Sequence, residues 1–262
     1  MPFIDTKDAR VHYDVTGEGP PLLLLAGIAS DMASWTPVMP LLQPHFSLVT
    51  VDNRGAGRTE HSGAIDPADW IGDAIALLDH LGIAEADVVG HSMGGMIGLR
   101  LAARAPQRVR RLVVAATSGR PEAKSGALIG EMAALYEGGM EPETWFRLLF
   151  QWLFAPAFFE DPERVAEATR LSAAYEYRQS PADFRRQLDA VSRLDPLDIA
   201  AIRAETLLLL ADLDVMVTPA TSRASFAGMA KLTETVIADA GHSLHWDQPE
   251  AFATAVIGFL KG

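Results

Sequence analysis

The sequence predicts an α/β protein in which helices cover both faces of a mostly parallel, eight-stranded sheet. Three patterns predict this fold class: short unbroken apolar runs, helical segments that alternate with them, and one long helical stretch without strand patterns. The chain has 262 residues, of which 49% are apolar and 21% are charged. That length and composition suit one large core that carries a long insertion.

Each strand is predicted from a short apolar run. Two alternating runs open the chain and indicate an antiparallel hairpin. The later runs are continuous and partly β-branched, which is typical of strands buried on both faces of a parallel sheet. The eight predicted strands lie around residues 3–5, 11–15, 22–26, 48–51, 88–89, 112–116, 207–210 and 235–238.

Helices are predicted between these strands. Asp66-Pro67 has the pattern of an N-cap followed by proline at the first helical position. Apolar residues then recur at helical spacing until Gly82, which ends the run. Further helices are predicted over residues 93–105 and 249–260. The alternation of strands and helices implies βαβ units wound on both faces of the sheet.

One region lacks strand patterns. Residues 119–195 contain helical patterns rich in aromatic and aliphatic side chains. We therefore predict a helical cap over residues 119–195, inserted between the sixth and seventh strands. The core is predicted to comprise residues 1–118 and 196–262.

Composition excludes several classes of function. The formal net charge is −12 at pH 7, and because this field repels phosphate backbones, nucleic acid is not an expected partner. The chain has no cysteine, so disulfides, thiolate chemistry and zinc–cysteine sites are excluded. Its 7 histidines are scattered without a metal-binding motif, and no metal is expected.

The ends and apolar stretches of the chain indicate its compartment. The first residues lack the basic and apolar regions of a secretory signal. The longest apolar stretch, residues 145–159, is interrupted and too short to span a bilayer. We expect a cytoplasmic protein with no membrane partner, present as a monomer or homodimer.

The strongest chemical motif is Gly90-His91-Ser92-Met93-Gly94, which follows a predicted strand and opens a predicted helix. A serine on such a tight strand-to-helix turn has the setting of a nucleophile elbow. The glycines leave room for backbones to pass, and the helix N-terminus favours developing negative charge. A plain turn serine is the alternative interpretation, and the strand–turn–helix setting favours the nucleophile.

With these residues the sequence resembles the α/β-hydrolase fold family. Residues 22–27 resemble the family's oxyanion strand and loop, and residues 52–59 resemble its D-x-R-G-x-G-x-S loop. Three positions depart from the family pattern: Ala26 stands where histidine is common, Thr59 replaces serine, and Ala211 stands where glycine is frequent. The resemblance implies the α/β-hydrolase fold and a cofactor-free enzyme, similar to the esterase and 3-oxoadipate enol-lactonase-like branch.

The resemblance also implies the roles of particular residues. It makes Ser92 the nucleophile, Asp214 the acid and His242 the base, in the family's chain order. The oxyanion hole would be formed by the backbone N–H groups of Ile28 and Met93.

Each assignment has a local competitor. Asp212 is the rival acid, and a solvated or turn-capping aspartate is its simpler interpretation. His245 is the rival base, and packing beside Trp246 is its simpler interpretation. The His91 side chain is expected to point away from the base.

The substrate pocket is predicted less sharply. Trp35, Phe150, Phe154 and Met216 are candidate wall residues, although aromatic stripes more often pack a core. The resemblance to the enol-lactonase-like branch implies that one cap arginine binds a substrate carboxylate, and solvated side chains are the alternative; the candidates are Arg147, Arg178, Arg185 and Arg186.

The expected activity is hydrolysis of a small-molecule carboxylic ester or lactone through an acyl-enzyme. The same three residues would also suit a cofactor-free haloperoxidase or perhydrolase, a dioxygenase, or a C–C bond hydrolase. A non-catalytic small-ligand binding protein is a further alternative. Haloalkane dehalogenases and epoxide hydrolases are excluded, since both need aspartate where Ser92 stands. Dinucleotide binding at residues 55–57 is disfavoured, because Glu60 occupies the place of the third glycine.

Overall fold

The sheet has nine strands in the computed structural model, which describes residues 2–262. Eight of them correspond to the predicted strands, and the predicted fold class is confirmed. The ninth, a two-residue strand that pairs with the second, is too short to leave a periodic pattern in the sequence. The strands are β1 (Phe3–Thr6), β2 (Ala9–Thr16), β3 (Pro21–Leu25), β4 (Ser47–Val51), β5 (Glu60–His61), β6 (Ala86–His91), β7 (Val109–Ala115), β8 (Glu205–Ala211) and β9 (Leu232–Ile237).

The order across the sheet is β1-β2-β4-β3-β6-β7-β8-β9, with β5 beside β2. The pairs β1/β2, β2/β4 and β2/β5 are antiparallel, and all others are parallel. Side chains of β3 alternate between two apolar clusters on opposite faces: Leu22 and Leu24 belong to one, Leu23 and Leu25 to the other. The sheet therefore separates two layers of core, as continuous apolar strands predict.

Residues 2–262 form ten α-helices. Asp66 accepts a hydrogen bond from the Ala68 N–H at 2.9 Å, which confirms the predicted helix start. No helix within residues 2–262 has the length and apolar character needed to cross a membrane. The helices are α1 (Met39–Leu42), α2 (Pro67–His80), α3 (Met93–Arg104), α4 (Ala123–Glu137), α5 (Pro142–Leu153), α6 (Pro162–Ala174), α7 (Pro181–Ser192), α8 (Pro219–Ser225), α9 (Leu244–Asp247) and α10 (Pro249–Lys261).

Helices α4 to α7 lie between β7 and β8, and we refer to these four helices and their connections as the cap. A third apolar cluster packs them together, with Trp145, Tyr136 and Phe184 at its centre. The Tyr136 and Trp145 rings stack at 4.3 Å, and the Trp145 Nε1–H donates to the Met132 carbonyl at 2.8 Å. One apolar cluster thus packs the four cap helices together.

The parallel strands place the loops that follow them at one edge of the sheet. The segments after β3, β6, β8 and β9 all leave at the carboxyl ends of parallel neighbours. In open α/β sheets, ligands bind outside these ends. Ser92, Asp214, His242 and Ile28 all follow these strands.

Candidate active site

Ser92 joins β6 to α3 in a strained conformation, with φ 51° and ψ −115°. Residues with a side chain rarely adopt this region, and such strain clusters at functional sites. The Ser92 N–H donates to the Ala115 carbonyl at 2.9 Å, and the Ser92 carbonyl accepts from Thr117 Oγ1 at 2.7 Å. The end of β7 therefore fixes the turn from both sides.

The glycines of the motif are required by close backbone packing. A Cβ on Gly90 would overlap the backbone of Gly94, and a Cβ on Gly94 would overlap the Leu25 carbonyl. A Cβ on Gly27 would lie 3.3 Å from the Ser92 Cβ. The turn can thus approach β3 and the loop after it only because these three positions have no side chain.

Three side chains that are distant in sequence form one hydrogen-bond chain. Ser92 Oγ lies 2.9 Å from His242 Nε2, and His242 Nδ1 lies 2.8 Å from Asp214 Oδ2. Because a carboxylate only accepts, the geometry assigns the His242 proton to Nδ1 and leaves the Nε2 lone pair for the Ser92 hydroxyl. The His242 and Asp214 side chains are almost fully buried, so water competes little with these bonds.

The structure brings Asp214, and not Asp212, to His242. Asp214 Oδ1 also accepts from the N–H groups of Met216 and Val217 at 2.8 and 2.9 Å. These two donors fix the orientation of the carboxylate. Asp212 is exposed, and its Oδ1 accepts from the Ala240 N–H at 3.2 Å.

The two predicted oxyanion donors are the backbone N–H groups of Ile28 and Met93. Within residues 2–262, neither the Ile28 N–H nor the Met93 N–H donates to a protein acceptor. Met93 is the first residue of α3, where the helix dipole favours negative charge. Ile28 lines the same small cavity as Ser92. Both predicted donors are therefore free to bind an oxygen.

The loop after β3 is supported by the loop after β4. Asn53 Nδ2 donates to the Ala26 carbonyl at 3.1 Å, and Asp52 Oδ1 accepts from the Met32 N–H at 2.9 Å. Asp52 Oδ2 in turn accepts from the Arg58 N–H at 2.9 Å. These bonds position the Ile28 segment although Ala26 replaces the family's histidine.

His91 contacts the His242 loop, which corrects the expectation that it points away. Its Nε2–H donates to the His242 carbonyl at 2.8 Å, and the two rings lie 5.1 Å apart. Burial, reinforced by the neighbouring His242, lowers the pKa of His91 to about 3. His91 is thus a neutral donor that stabilises the backbone of the adjacent loop.

His245 packs inside the core, against other neighbours than the sequence suggested. Its ring lies 4.6 Å from His91 and 5.0 Å from Trp35. Burial keeps the pKa of His245 well below its usual range. Trp246 instead is 43% exposed, and its Nε1–H donates to the Ser34 carbonyl at 2.8 Å.

Two adjoining cavities lie beneath the cap. A small one of about 20 Å³ is bounded by Ser92, His242, Ile28 and Met216. A larger one of about 420 Å³ has mostly apolar walls. Five residues line both cavities: Ala29, Ser30, Leu149, Leu153 and Ser243.

The predicted wall residues separate into two groups. Phe150 and Phe154 line the larger cavity, and Met216 lines the smaller one. Trp35 was wrongly predicted as a wall residue: it is fully buried in the core cluster on one face of the sheet. The physical reason is the short 3-10 helix Met32–Trp35, which turns the indole inward immediately after the loop.

Sequence analysis missed several wall residues. Phe146 and Leu149 lie on the same face of α5 as Phe150, and their helical spacing was the available signal. Tyr175 and Tyr177 follow α6 in an irregular segment that gives no periodic signal.

Asp31 is an acid in the wall of the larger cavity. It is 8% exposed, and its Oδ1 accepts from the Ala33 N–H at 2.8 Å. Burial, reinforced by Asp52, raises the pKa of Asp31, and burial together with Asp31 raises the pKa of Tyr175. Arg164 and Arg178 also line this cavity, so its wall contains both acidic and basic side chains.

The four cap arginines of the sequence prediction have different surroundings. Arg185 pairs with Glu137 at 2.9 Å and Arg186 with Asp183 at 2.6 Å. Arg178 lines the larger cavity and donates to the Ala173 carbonyl. The fourth arginine, Arg147, lines a separate surface groove. Residues 2–262 contain no group of three histidine, cysteine or carboxylate side chains that could hold a metal ion.

Comparisons with known proteins identify the family of the chain. The model of the alpha/beta hydrolase family matches residues 22–255. The putative non-heme bromoperoxidase BpoC of Mycobacterium tuberculosis (strain H37Rv) is 31% identical over 258 residues, covering 96% of this chain and 97% of the relative. The putative carbamate hydrolase RutD of Caulobacter sp. (strain K31) is 30% identical over 268 residues, covering 99% and 97%.

Solved structures show the same fold. The enol-lactonase from Burkholderia xenovorans LB400 superposes with a TM-score of 0.89 at 24% identity, covering 100% of both chains. At that identity the likeness concerns the fold alone. Since the family model spans most of the sequence and hydrolase-named relatives match nearly all of it, the chain is an enzyme of the alpha/beta hydrolase family.

Proposed function

We propose that this enzyme hydrolyses carboxylic esters or lactones through an acyl-enzyme on Ser92, without a cofactor. The observation that supports the proposal is the continuous hydrogen-bond chain from Ser92 through His242 to Asp214, which opens into a cavity beside two free N–H groups. That arrangement meets the geometric requirements for a nucleophile, a base, an orienting acid and an oxyanion site.

In the first step, Ser92 Oγ attacks the carbonyl carbon while His242 Nε2 takes the hydroxyl proton. Asp214 stabilises the imidazolium that forms and fixes the ring orientation. The tetrahedral oxyanion accepts hydrogen bonds from the N–H groups of Ile28 and Met93. The C–O bond to the leaving alcohol then breaks, and the imidazolium returns its proton to that oxygen.

In the second step, water replaces the alcohol. His242 takes a proton from the water, the hydroxide attacks the acyl carbon, and the bond to Ser92 Oγ breaks. The serine recovers its proton from the imidazolium, and the carboxylic acid leaves. The two backbone donors act in both steps, and one such donor is typically worth about 10²–10³ in kcat.

The cavities support a substrate with one apolar part of moderate size. The small cavity accommodates the reacting carbonyl, and the larger one has aromatic walls. Exposed apolar side chains of Leu171, Tyr175 and Trp246, which are 54%, 40% and 43% exposed, line the larger cavity.

The test is a panel of p-nitrophenyl esters, lactones and one carbamate, with wild type and Ser92→Ala. We expect ester or lactone turnover in wild type and a loss of kcat of about 10⁴-fold or more in Ser92→Ala. Ser192→Ala, which removes an exposed hydroxyl bonded to its own helix, is the matched control and should retain full activity. Equal rates in wild type and Ser92→Ala would contradict the proposal.

Perhydrolysis is a second candidate, because the 31% identical relative is named a putative non-heme bromoperoxidase. An acyl-Ser92 attacked by hydrogen peroxide instead of water would release a peracid, which oxidises bromide. Bromination of phenol red with acetate, peroxide and bromide tests this candidate. Activity in wild type that is lost in Ser92→Ala would support it, and equal bromination with and without the enzyme would exclude it.

A further inference from the structure

The loop that contains His242 is bonded to the cap as well as to the core. The Ser243 N–H donates to the Leu153 carbonyl at 2.8 Å. Leu153 is the last residue of α5, where carbonyls lack a donor within the helix. The residue after His242 therefore supplies the missing donor for the end of a cap helix.

A single carboxylate oxygen strengthens this junction. Asp247 Oδ2 accepts from the Gly241 N–H at 2.8 Å and from the Ala155 N–H at 2.9 Å. Gly241 directly precedes His242, and Ala155 lies two residues beyond α5. One side chain thus joins the backbone of the histidine loop to the backbone of the cap.

The two backbones also touch directly. A Cβ on Gly241 would lie 2.8 Å from the Ala155 nitrogen and 2.9 Å from the Leu153 carbonyl oxygen. Any displacement of the end of α5 is therefore transmitted to the loop without a flexible side chain in between. The Asp247 oxygen fixes the relative position of the two segments.

The same end of α5 faces the larger cavity. Phe150, Leu153 and Phe154 line that cavity, and Leu153 also lines the small cavity at Ser92. A substrate that fills the larger cavity consequently contacts the segment that Asp247 bonds to the histidine loop.

We propose that Asp247 is a positioning residue that couples occupancy of the cap cavity to the placement of His242. The inference rests on the proposed function, because it assigns His242 the role of base. The His242 ring bonds to Asp214 and Ser92, whereas Asp247 bonds to the N–H groups of Gly241 and Ala155, so Asp247 acts through the backbone. Orientation has large effects, since a misplacement of about 1 Å can cost about 10²-fold in rate.

The experiment compares a small ester with two larger ones in the full chain. Ethyl acetate is too small to fill the larger cavity. Ethyl phenylacetate reaches it with its acyl part, and 2-phenylethyl acetate reaches it with its alcohol part. We expect wild type to turn over one of the two larger esters with a higher kcat than it does ethyl acetate. Asp247→Ala should reduce the ratio of kcat for the larger ester to kcat for ethyl acetate about tenfold, with the loss in kcat rather than KM.

Two variants act as controls. Asp212 accepts from the Ala240 N–H of the same loop but has no bond to the cap, so Asp212→Ala should leave the kcat ratio at its wild-type value. Asp247→Asn retains an acceptor oxygen and should restore most of the ratio. An unchanged ratio in Asp247→Ala, an equal drop in Asp212→Ala, or a ratio in Asp247→Asn as low as in Asp247→Ala would overturn the proposal.

If Asp247→Ala does not fold, Ala155→Pro tests the proposal instead. Ala155 has φ −67°, which suits proline; the substitution removes the cap donor and places the proline Cδ against Asp247, so the junction is broken from the cap side. The same drop in the kcat ratio is expected, and a wild-type ratio would overturn the proposal. If wild type hydrolyses neither these three esters nor any ester or lactone of the panel, the proposed function itself fails, which is a separate result.

Discussion

His91 is a buried histidine whose neutral form is built into the site. Its Nε2–H donates to the His242 carbonyl, and burial lowers its pKa to about 3. Burial and the neighbouring His242 outweigh the attraction of Asp214 for a positive charge on this ring. Protonation would therefore place a poorly compensated charge in the core, next to His242 and His245.

The first prediction follows from this pKa. The folded pKa of about 3 lies below the usual value of 6.5, so between pH 6.5 and 3 the unfolded chain binds the extra proton. The stability should fall as the pH falls through this window, by ~2 kcal/mol between pH 7 and pH 5 for His91 alone. His245, whose pKa is lowered in the same direction, adds to the effect.

Urea unfolding of wild type and His91→Gln at pH 7 and pH 5 measures this difference. The variant should lose less stability than wild type on acidification, because its side chain does not titrate. An identical pH dependence in both proteins would show that His91 is not responsible.

At the scale of elements, the strand-to-helix turn depends on how closely α3 approaches β3. Gly94 lies in the first turn of α3, and a Cβ there would overlap the Leu25 carbonyl. Backbone atoms cannot move aside as a flexible side chain can. The position of Ser92 is therefore set by a contact between two elements, and not by the turn alone.

The second prediction compares two glycines in helices. Gly94→Ala should destabilise the protein by about 1–3 kcal/mol through overpacking. Its ester turnover should fall by more than the loss of folded protein explains. Gly72→Ala, in α2, places its methyl in open space and should stabilise the protein by about 0.5–1 kcal/mol. Thermal unfolding and ester turnover of both variants check the pair; equal stability of the two variants would contradict the argument.

The elements near the active site were predictable because their sequences contain local signals. The strand before Ser92, the glycines around it and the helix after it form one contiguous pattern, as does the Asp66 N-cap. The two-residue strand β5 has no such pattern, and its pairing with β2 depends on chain segments some 50 residues apart. Trp35 was misplaced because a short 3-10 helix reverses its direction.

The cavity walls were less predictable, since they depend on how four cap helices pack on the core. The sequence shows that α5 has an apolar face, but not that Trp145 faces the cap interior while Leu153 also reaches the serine cavity. Asp247 illustrates the same limit. Its two backbone donors lie 6 and 92 residues away, a distance over which no sequence pattern operates.

At the scale of the whole molecule, cap and core share one interior. The apolar cluster of the cap includes Met216 and Val217, which follow β8 in the core. Gln187 of α7 donates through Nε2 to the Arg54 carbonyl at 2.9 Å, and the Asp247 junction adds further bonds. The cap is therefore expected to unfold together with the sheet, as one cooperative unit.

The last prediction tests this cooperativity with Phe184→Ala. Phe184 is fully buried in the cap, 5.3 Å from the Trp145 ring and 6.5 Å from the Tyr136 ring. The substitution should cost about 3–5 kcal/mol, because the cavity it leaves cannot collapse fully. Pulse-labelling hydrogen exchange across a urea series then reports the cap helix α7 and the core strand β6 separately. In wild type, both segments should open at the same urea midpoint. In Phe184→Ala, both midpoints should shift to lower urea by the same amount. If α7 opened at a lower urea concentration than β6, the cap would unfold as an independent unit. The connection between the cap and the histidine loop would then be looser than the structure shows.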